Sequence, residues 1–128
     1  MSRSRNWCFT INNYNNHMRR EDNNENHLKT LILWFGPKYM IIGFEIGKEG
    51  THHIQGYADF TNARTIGGLT KMIKFIHWEP RRGSWQQAVD YCKKDGKWYE
   101  YGSPNEQGQR KDLQEVHKEL ALNLSAMT

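Results

Sequence analysis

Trp7, Phe9 and Ile11 alternate with Cys8, Thr10 and Asn12, the period-two pattern of a strand with one buried face and one polar face. Residues 12–26 are rich in asparagine and charge and poor in aliphatic side chains, as in a loop that leads into a helix. Leu28, Leu31, Ile32 and Phe35 then recur at helical spacing, which predicts a helix over 27–35, stopped by Gly36 and Pro37. Branched and aromatic residues over 39–45 predict a central strand, Gly47-Lys48-Glu49-Gly50 marks a hairpin turn, and a second strand follows over 52–60. A small helix over 66–73, a strand over 75–78, a helix N-capped by Ser84 and running through Lys94, and a last strand over 97–101 complete the order. Residues 103–110 are polar and turn-rich and precede a helix starting near Lys111. This order argues for an α+β fold, with an antiparallel sheet of about five strands and helices packed mainly on one face. The other face is then free to bind. Residues 1–102 form the core, and 103–128 a linker and the start of a C-terminal helix.

Composition narrows the function. A chain of 128 residues with 37% hydrophobic and 12% aromatic content fits one compact domain. The net charge of +4 favours polyanionic partners, nucleic acid first. No run approaches the roughly 18 apolar residues of a membrane span, and Met1-Ser2-Arg3-Ser4-Arg5-Asn6 lacks the apolar stretch of a secretory signal. A soluble intracellular protein with no membrane partner is expected. Cys8 and Cys92 are far apart and form no Cys-x-x-Cys pair, so reduced, buried thiols are expected rather than a disulfide or a zinc site.

The candidate chemistry follows from the periodicities. Along the strand over 52–60, His53, Gln55 and Tyr57 share one face, and Ile54, Gly56 and Ala58 share the other. Glu45 on the preceding strand would add a carboxylate across the hairpin, and the resulting oxygen and nitrogen set suits Mn²⁺ or Mg²⁺. The same residues also describe a solvated polar strand face. Tyr91 and Lys94 share a helical face, with Gln87 one turn earlier. A phenol beside an ammonium can attack a phosphate, since a nearby cation favours the phenolate. Tyr91 equally fits an amphipathic aromatic packed on the core, and Lys93 and Lys94 a solvated helix end. Arg64, Arg81 and Arg82 in loops, with Arg3 and Arg5 in an N-terminal arm, would track a phosphate backbone, although dispersed arginines are also ordinary surface. Trp7, Trp34 and Trp78 belong to the core, while His52 and His77 are assigned to packing rather than ligation.

Taken in order, Cys8-Phe9-Thr10-Ile11-Asn12-Asn13, His53-Ile54-Gln55-Gly56 and Tyr91-Cys92-Lys93-Lys94 resemble the three motifs of the replication-initiator proteins of small circular single-stranded DNA viruses, circovirus-like members among them. Gly43-Phe44-Glu45 resembles the family's metal-carboxylate strand, and Gln107-Gly108-Gln109-Arg110-Lys111-Asp112-Leu113 the segment after its nuclease domain. The resemblance implies an HUH-type endonuclease domain with a ferredoxin-like or RNA-recognition-like sheet. By it, Glu45, His53 and Gln55 hold a divalent metal, Tyr91 attacks the scissile phosphate, and Lys94 positions or polarises the reacting groups. Thr10, Asn12 and Asn13 would contact DNA from the sheet, with Arg5, Arg64, Arg81, Arg82 and Gln87 along the strand's path.

The implied activity is metal-dependent nicking of single-stranded DNA at an origin stem-loop through a covalent 5′-phosphotyrosine. Strand rejoining and rolling-circle replication in the host nucleus would follow. Gln55 departs from the second histidine of many superfamily members, and a neutral amide is a weaker ligand, which bears on metal affinity and preference. A helicase domain is an implied neighbour in the full-length protein, yet no Gly-x-x-x-x-Gly-Lys-Ser/Thr loop occurs here, so the chain reads as the nuclease portion, expected to be monomeric. The alternative from another class is a non-catalytic module that binds single-stranded nucleic acid on the open sheet face.

Overall fold

The computed structural model describes residues 3–19 and 23–104. The expected helix near Lys111, and all but the first residues of the expected linker, lie outside the described residues. Five strands, β1 (Ser4–Asn12), β2 (Tyr39–Ile46), β3 (His52–Arg64), β4 (His77–Pro80) and β5 (Trp98–Gly102), form one sheet in the order β4-β1-β3-β2-β5. Every neighbouring pair is antiparallel. The helices are α1 (Glu25–Phe35), α2 (Ile66–Met72) and α3 (Trp85–Lys93), with a 3₁₀ turn at Tyr14–Asn16.

The expected elements are present with shifted limits. β1 begins at Ser4 and β3 continues to Arg64, so Arg5 and Arg64 stand in strands rather than in an arm and a loop. The strand expected over 75–78 is displaced to His77–Pro80, where it pairs with Trp7 through Thr10. Pro80 is tolerated because β4 is an edge strand, where a missing amide donor costs no ladder bond. Phe75 instead packs its ring parallel to His17, with centroids 4.7 Å apart.

Alternation sorts the sheet into two faces. Trp7, Phe9, Ile11, Met40, Ile42, Phe44, Ile54 and Phe60 point to one, where α1 lays down Leu28, Leu31 and Phe35 and α2 adds Leu69. α1 ends at Gly36, whose φ of 60° closes the last turn in the left-handed conformation that favours glycine. Among the described residues, two of the three α-helices thus share a face, as expected. The opposite face is not wholly free: α3 packs Val89 and Cys92 against Tyr39, Ile41 and Tyr57 there. A complete capping box fixes its start, because the Ser84 side chain accepts from the Gln87 amide while the Gln87 side chain accepts from the Ser84 amide.

Candidate active site

The face beneath α3 reads as parallel rows across the sheet. Asn12, His53 and Glu45 are mutual register partners and form the first row. His77, Thr10, Gln55, Gly43 and Trp98 form the second, and Glu79, Cys8, Tyr57, Ile41 and Glu100 the third. The expectation that Glu45, His53 and Gln55 would share a face across the β2–β3 hairpin therefore describes the structure. Gln55 is tied into this surface from both sides: Thr10 Oγ1 donates to its Oε1 at 3.1 Å, and its Nε2 donates to Glu45 Oε1 at 3.3 Å.

Gly43 lets α3 come down onto these rows. A β-carbon at this position would lie 1.8 Å from the Cys92 carbonyl oxygen, so the helix backbone rests directly on β2. That contact sets the height of Tyr91 and Lys94 on either side of Cys92. The Lys94 ammonium meets Glu45 Oε2 at 3.2 Å and lies 4.0 Å from the centroid of the Tyr91 ring. Hydrogen bonding to Tyr91 raises the Lys94 pKa above the ordinary lysine value; burial opposes it, and the pairing with Glu45 adds to the rise. Lys94 is therefore a cation at neutral pH, not a base. Tyr91 is 51% exposed, so its hydroxyl is open to a substrate from solvent. The two cysteines are free: burial raises the thiol pKa of both Cys92 and the half-buried Cys8, keeping them protonated and inert.

The donor set fits a hard divalent ion. Nδ1 of His53 is buried without a hydrogen-bond partner in the row that holds Glu45, which suits a nitrogen that ligates. Gly47 makes room for the same ring, since a β-carbon there would stand 2.8 Å from His53 Nε2. Among the described residues no trio drawn from His, Cys, Asp and Glu alone converges, so ligation here needs the Gln55 amide oxygen. Turning that amide over exchanges its oxygen and nitrogen: the Thr10 hydroxyl then accepts, and Oε1 joins Glu45. So turned, the amide would offer an oxygen ligand in place of a second histidine.

Beside this cluster a cleft of about 380 Å³ opens between β1, β4 and α3, and Thr10, Gln55, Arg81, Arg82, Gln87 and Tyr91 line it. Glu45 and His53 lie beyond its lining, in the adjoining row. Asn12 and Asn13 are exposed at the β1 end, where Asn13 adopts the left-handed conformation (φ 53°) that asparagine tolerates. Arg64 is not brought to the cleft: its guanidinium stacks over Phe60 at 4.5 Å and donates to the Phe35 carbonyl at 3.4 Å, on the face covered by α1. Arg5 is exposed at the opposite end of β1 from Asn12. Sequence reasoning named Gly43 only as part of a motif, not as the seat of α3, and passed over Glu79. It also passed over Asp59, which continues the Gln55 and Tyr57 face of β3, and that alternation was the available signal.

Comparisons with known proteins bear on this arrangement. The family model for viral replication proteins matches residues 4–95. The chain is 34% identical over 113 residues to the replication-associated protein of Pigeon circovirus, covering 86% of the chain and 32% of that relative. It is 36% identical over 110 residues to the replication-associated protein of Porcine circovirus 2, covering 84% and 33%. It is also 34% identical over 101 residues to the master replication protein of Faba bean necrotic yellows virus, covering 75% and 30%. The chain spans about a third of the length of these relatives. The matched segment begins with β1 and ends just after α3, so it contains the Tyr91–Lys94 pair and every residue of the rows except Trp98 and Glu100 on β5, and the chain belongs to the viral replication protein family.

Proposed function

We propose that this chain is a metal-dependent endonuclease and strand-joining enzyme for single-stranded DNA. It nicks a viral replication origin through a covalent 5′-phosphotyrosine on Tyr91 and so starts rolling-circle replication. The meeting of Glu45, His53 and Gln55 with Lys94 and Tyr91, drawn from β2, β3 and α3, carries this reading. The relatives' names, replication-associated and master replication protein, support it. A helicase segment in the longer protein and action in the host nucleus belong to the same proposal.

In the reaction the Tyr91 oxygen forms a bond to the scissile phosphorus as the bond from phosphorus to the 3′ oxygen breaks. The phenol proton leaves to water at the exposed hydroxyl, and the 3′ oxygen takes up a proton and departs as a hydroxyl. One phosphate ester replaces another, so the same site can run backwards and join strands. Lys94, held as an ammonium, offsets the negative charge that develops beside Tyr91. Glu45, His53 and Gln55 would hold the divalent ion, which when bound supplies Lewis-acid polarisation and orientation of the phosphate. Thr10, Asn12 and Asn13 offer hydrogen-bonding groups to the strand where it crosses β1.

The test is to incubate the protein with single-stranded DNA carrying candidate origin loops, with Mn²⁺ or with a chelator. Adducts are then sought by denaturing gel and mass spectrometry. A metal-dependent adduct on Tyr91, absent from Tyr91→Phe although that variant still binds DNA, is expected. Nicking by Tyr91→Phe at the parent rate would overturn the assignment, and tight binding with no adduct on any loop would leave a binding module.

A further inference from the structure

Beyond the third row the same sheet face stays polar although it is buried, and the nicking chemistry makes no use of it. Asp59 is fully buried opposite Asn6. Asn6 Nδ2 donates to Asp59 Oδ1 at 2.7 Å, and the buried Tyr57 hydroxyl donates to the same oxygen. Tyr57 in turn accepts from Arg81 Nη1 at 2.7 Å. Arg81 Nε donates to the Gly83 carbonyl at 2.9 Å, its backbone amide donates to the Asn6 carbonyl at 3.0 Å, and the guanidinium carbon lies 5.9 Å from the centroid of the Tyr57 ring.

A carboxylate and a phenol in this position are expensive unless hydrogen-bonded, and here each completes the other. Burial first, and Asp59 next, push the Tyr57 pKa far above the ordinary phenol value, so its proton stays directed at Asp59 and its lone pairs face Arg81. Arg81 is thus held at two side-chain nitrogens and at its backbone before any ligand arrives. It lines the cleft that Tyr91 also lines, with the exposed Arg82 beside it. An arginine fixed in advance loses little rotamer freedom when it takes an anion.

We propose that Asn6, Asp59 and Tyr57 are positioning residues that hold Arg81 as a fixed seat for a backbone phosphate of the single strand, at the end of the cleft away from Glu45 and His53. The proposal rests on the nuclease reading for the identity of the strand. A network that only tied the loop before α3 to the sheet would affect stability and leave DNA affinity alone.

The experiment uses the full 128-residue chain carrying Tyr91→Phe, so that binding is read without covalent capture. Fluorescein-labelled single-stranded oligonucleotides of mixed sequence serve as the probe, with anisotropy followed across a salt series. Arg81→Gln is expected to weaken binding about tenfold and to flatten the logarithmic salt slope by about one. Arg81→Lys keeps the charge but not the fixed fork, and should lose nearly as much affinity. Tyr57→Phe, which removes only the hydroxyl, should weaken binding by about threefold or more, and should add no further loss on top of Arg81→Gln.

Parent-like binding by Tyr57→Phe or by Arg81→Lys, or a Tyr57→Phe loss that persists undiminished beside Arg81→Gln, overturns the proposal. If a circular-dichroism melt shows Tyr57→Phe unfolded, Arg81→Lys decides alone. Adduct formation by the chain with Tyr91 intact is measured in parallel with Mn²⁺. Coupling between Tyr57 and Arg81 without any adduct would overturn only the nuclease reading, and an adduct without coupling would overturn only this one.

Discussion

Lys94 is where local chemistry and charge meet most closely. Its pKa is raised, so whatever stability its contacts contribute is fully present below the ordinary lysine value of 10.5 and is lost only as pH rises through the higher folded value. The contribution is small, because the side chain is 40% exposed and such pairs are worth about 0–1 kcal/mol in water. Lys94→Met should therefore melt at nearly the parent temperature at neutral pH while forming the Tyr91 adduct about a hundredfold more slowly, the scale of losing one preorganised charge partner. Single-turnover gel assays beside a thermal melt separate the two effects. An unchanged adduct rate would remove Lys94 from the mechanism. The spacing of Tyr91 and Lys94 on one helical face was legible from the chain alone, whereas the contact with Glu45 was not, because it depends on which sheet face α3 covers. Arg64 shows the limit from the other side: an arginine folded back over Phe60 is indistinguishable in sequence from one that meets a phosphate.

At the scale of elements, the seat of α3 on Gly43 decides whether Tyr91, the proposed nucleophile, reaches the row of Glu45 and His53. Gly43→Ala pushes a methyl into the Cys92 carbonyl, and backbone cannot swing aside as a side chain does. Overpacking of this kind costs about 1–3 kcal/mol, and here the relief is to lift the helix and carry Tyr91 and Lys94 away from Glu45. Adduct formation per folded molecule should fall steeply in Gly43→Ala. It should be retained in Leu31→Ala, which loses about 2–5 kcal/mol from the core on the opposite face. Denaturant melts with parallel adduct assays give both quantities, and equal specific activities in the two variants would show that the seat does not matter. Periodicity and the Ser84 cap placed α3 in the chain, but a strand glycine gives no sign of what lies above it. The displacement of β4 has a similar origin: Phe75 satisfies a strand pattern, yet stacks on His17 instead.

At the scale of the molecule, the sheet separates two apolar clusters of unequal size among the described residues. The larger joins α1 and α2 to the sheet through residues such as Trp7, Phe9, Leu28, Leu31 and Trp78, while the smaller holds α3 by Val89 and Cys92 over Tyr39, Ile41 and Tyr57. The alternation in β1 and β3 made both faces legible as apolar and polar, but not that a third helix would close half of the polar one. That helix buries few residues and borders an open cleft, so its local opening free energy should lie below that of global unfolding. Native-state hydrogen exchange should then show the amides of α3 exchanging faster than those of α1 and the centre of β3. Single-stranded DNA added to the Tyr91→Phe variant should slow α3 selectively, because a strand bound as proposed would span the helix and the sheet and add its binding energy to the smaller cluster. Exchange of α3 in step with β3 would instead mean that both clusters open as one unit. In that case the close seat on Gly43, rather than the apolar area of the helix, carries the coupling between Tyr91 and the row of Glu45 and His53.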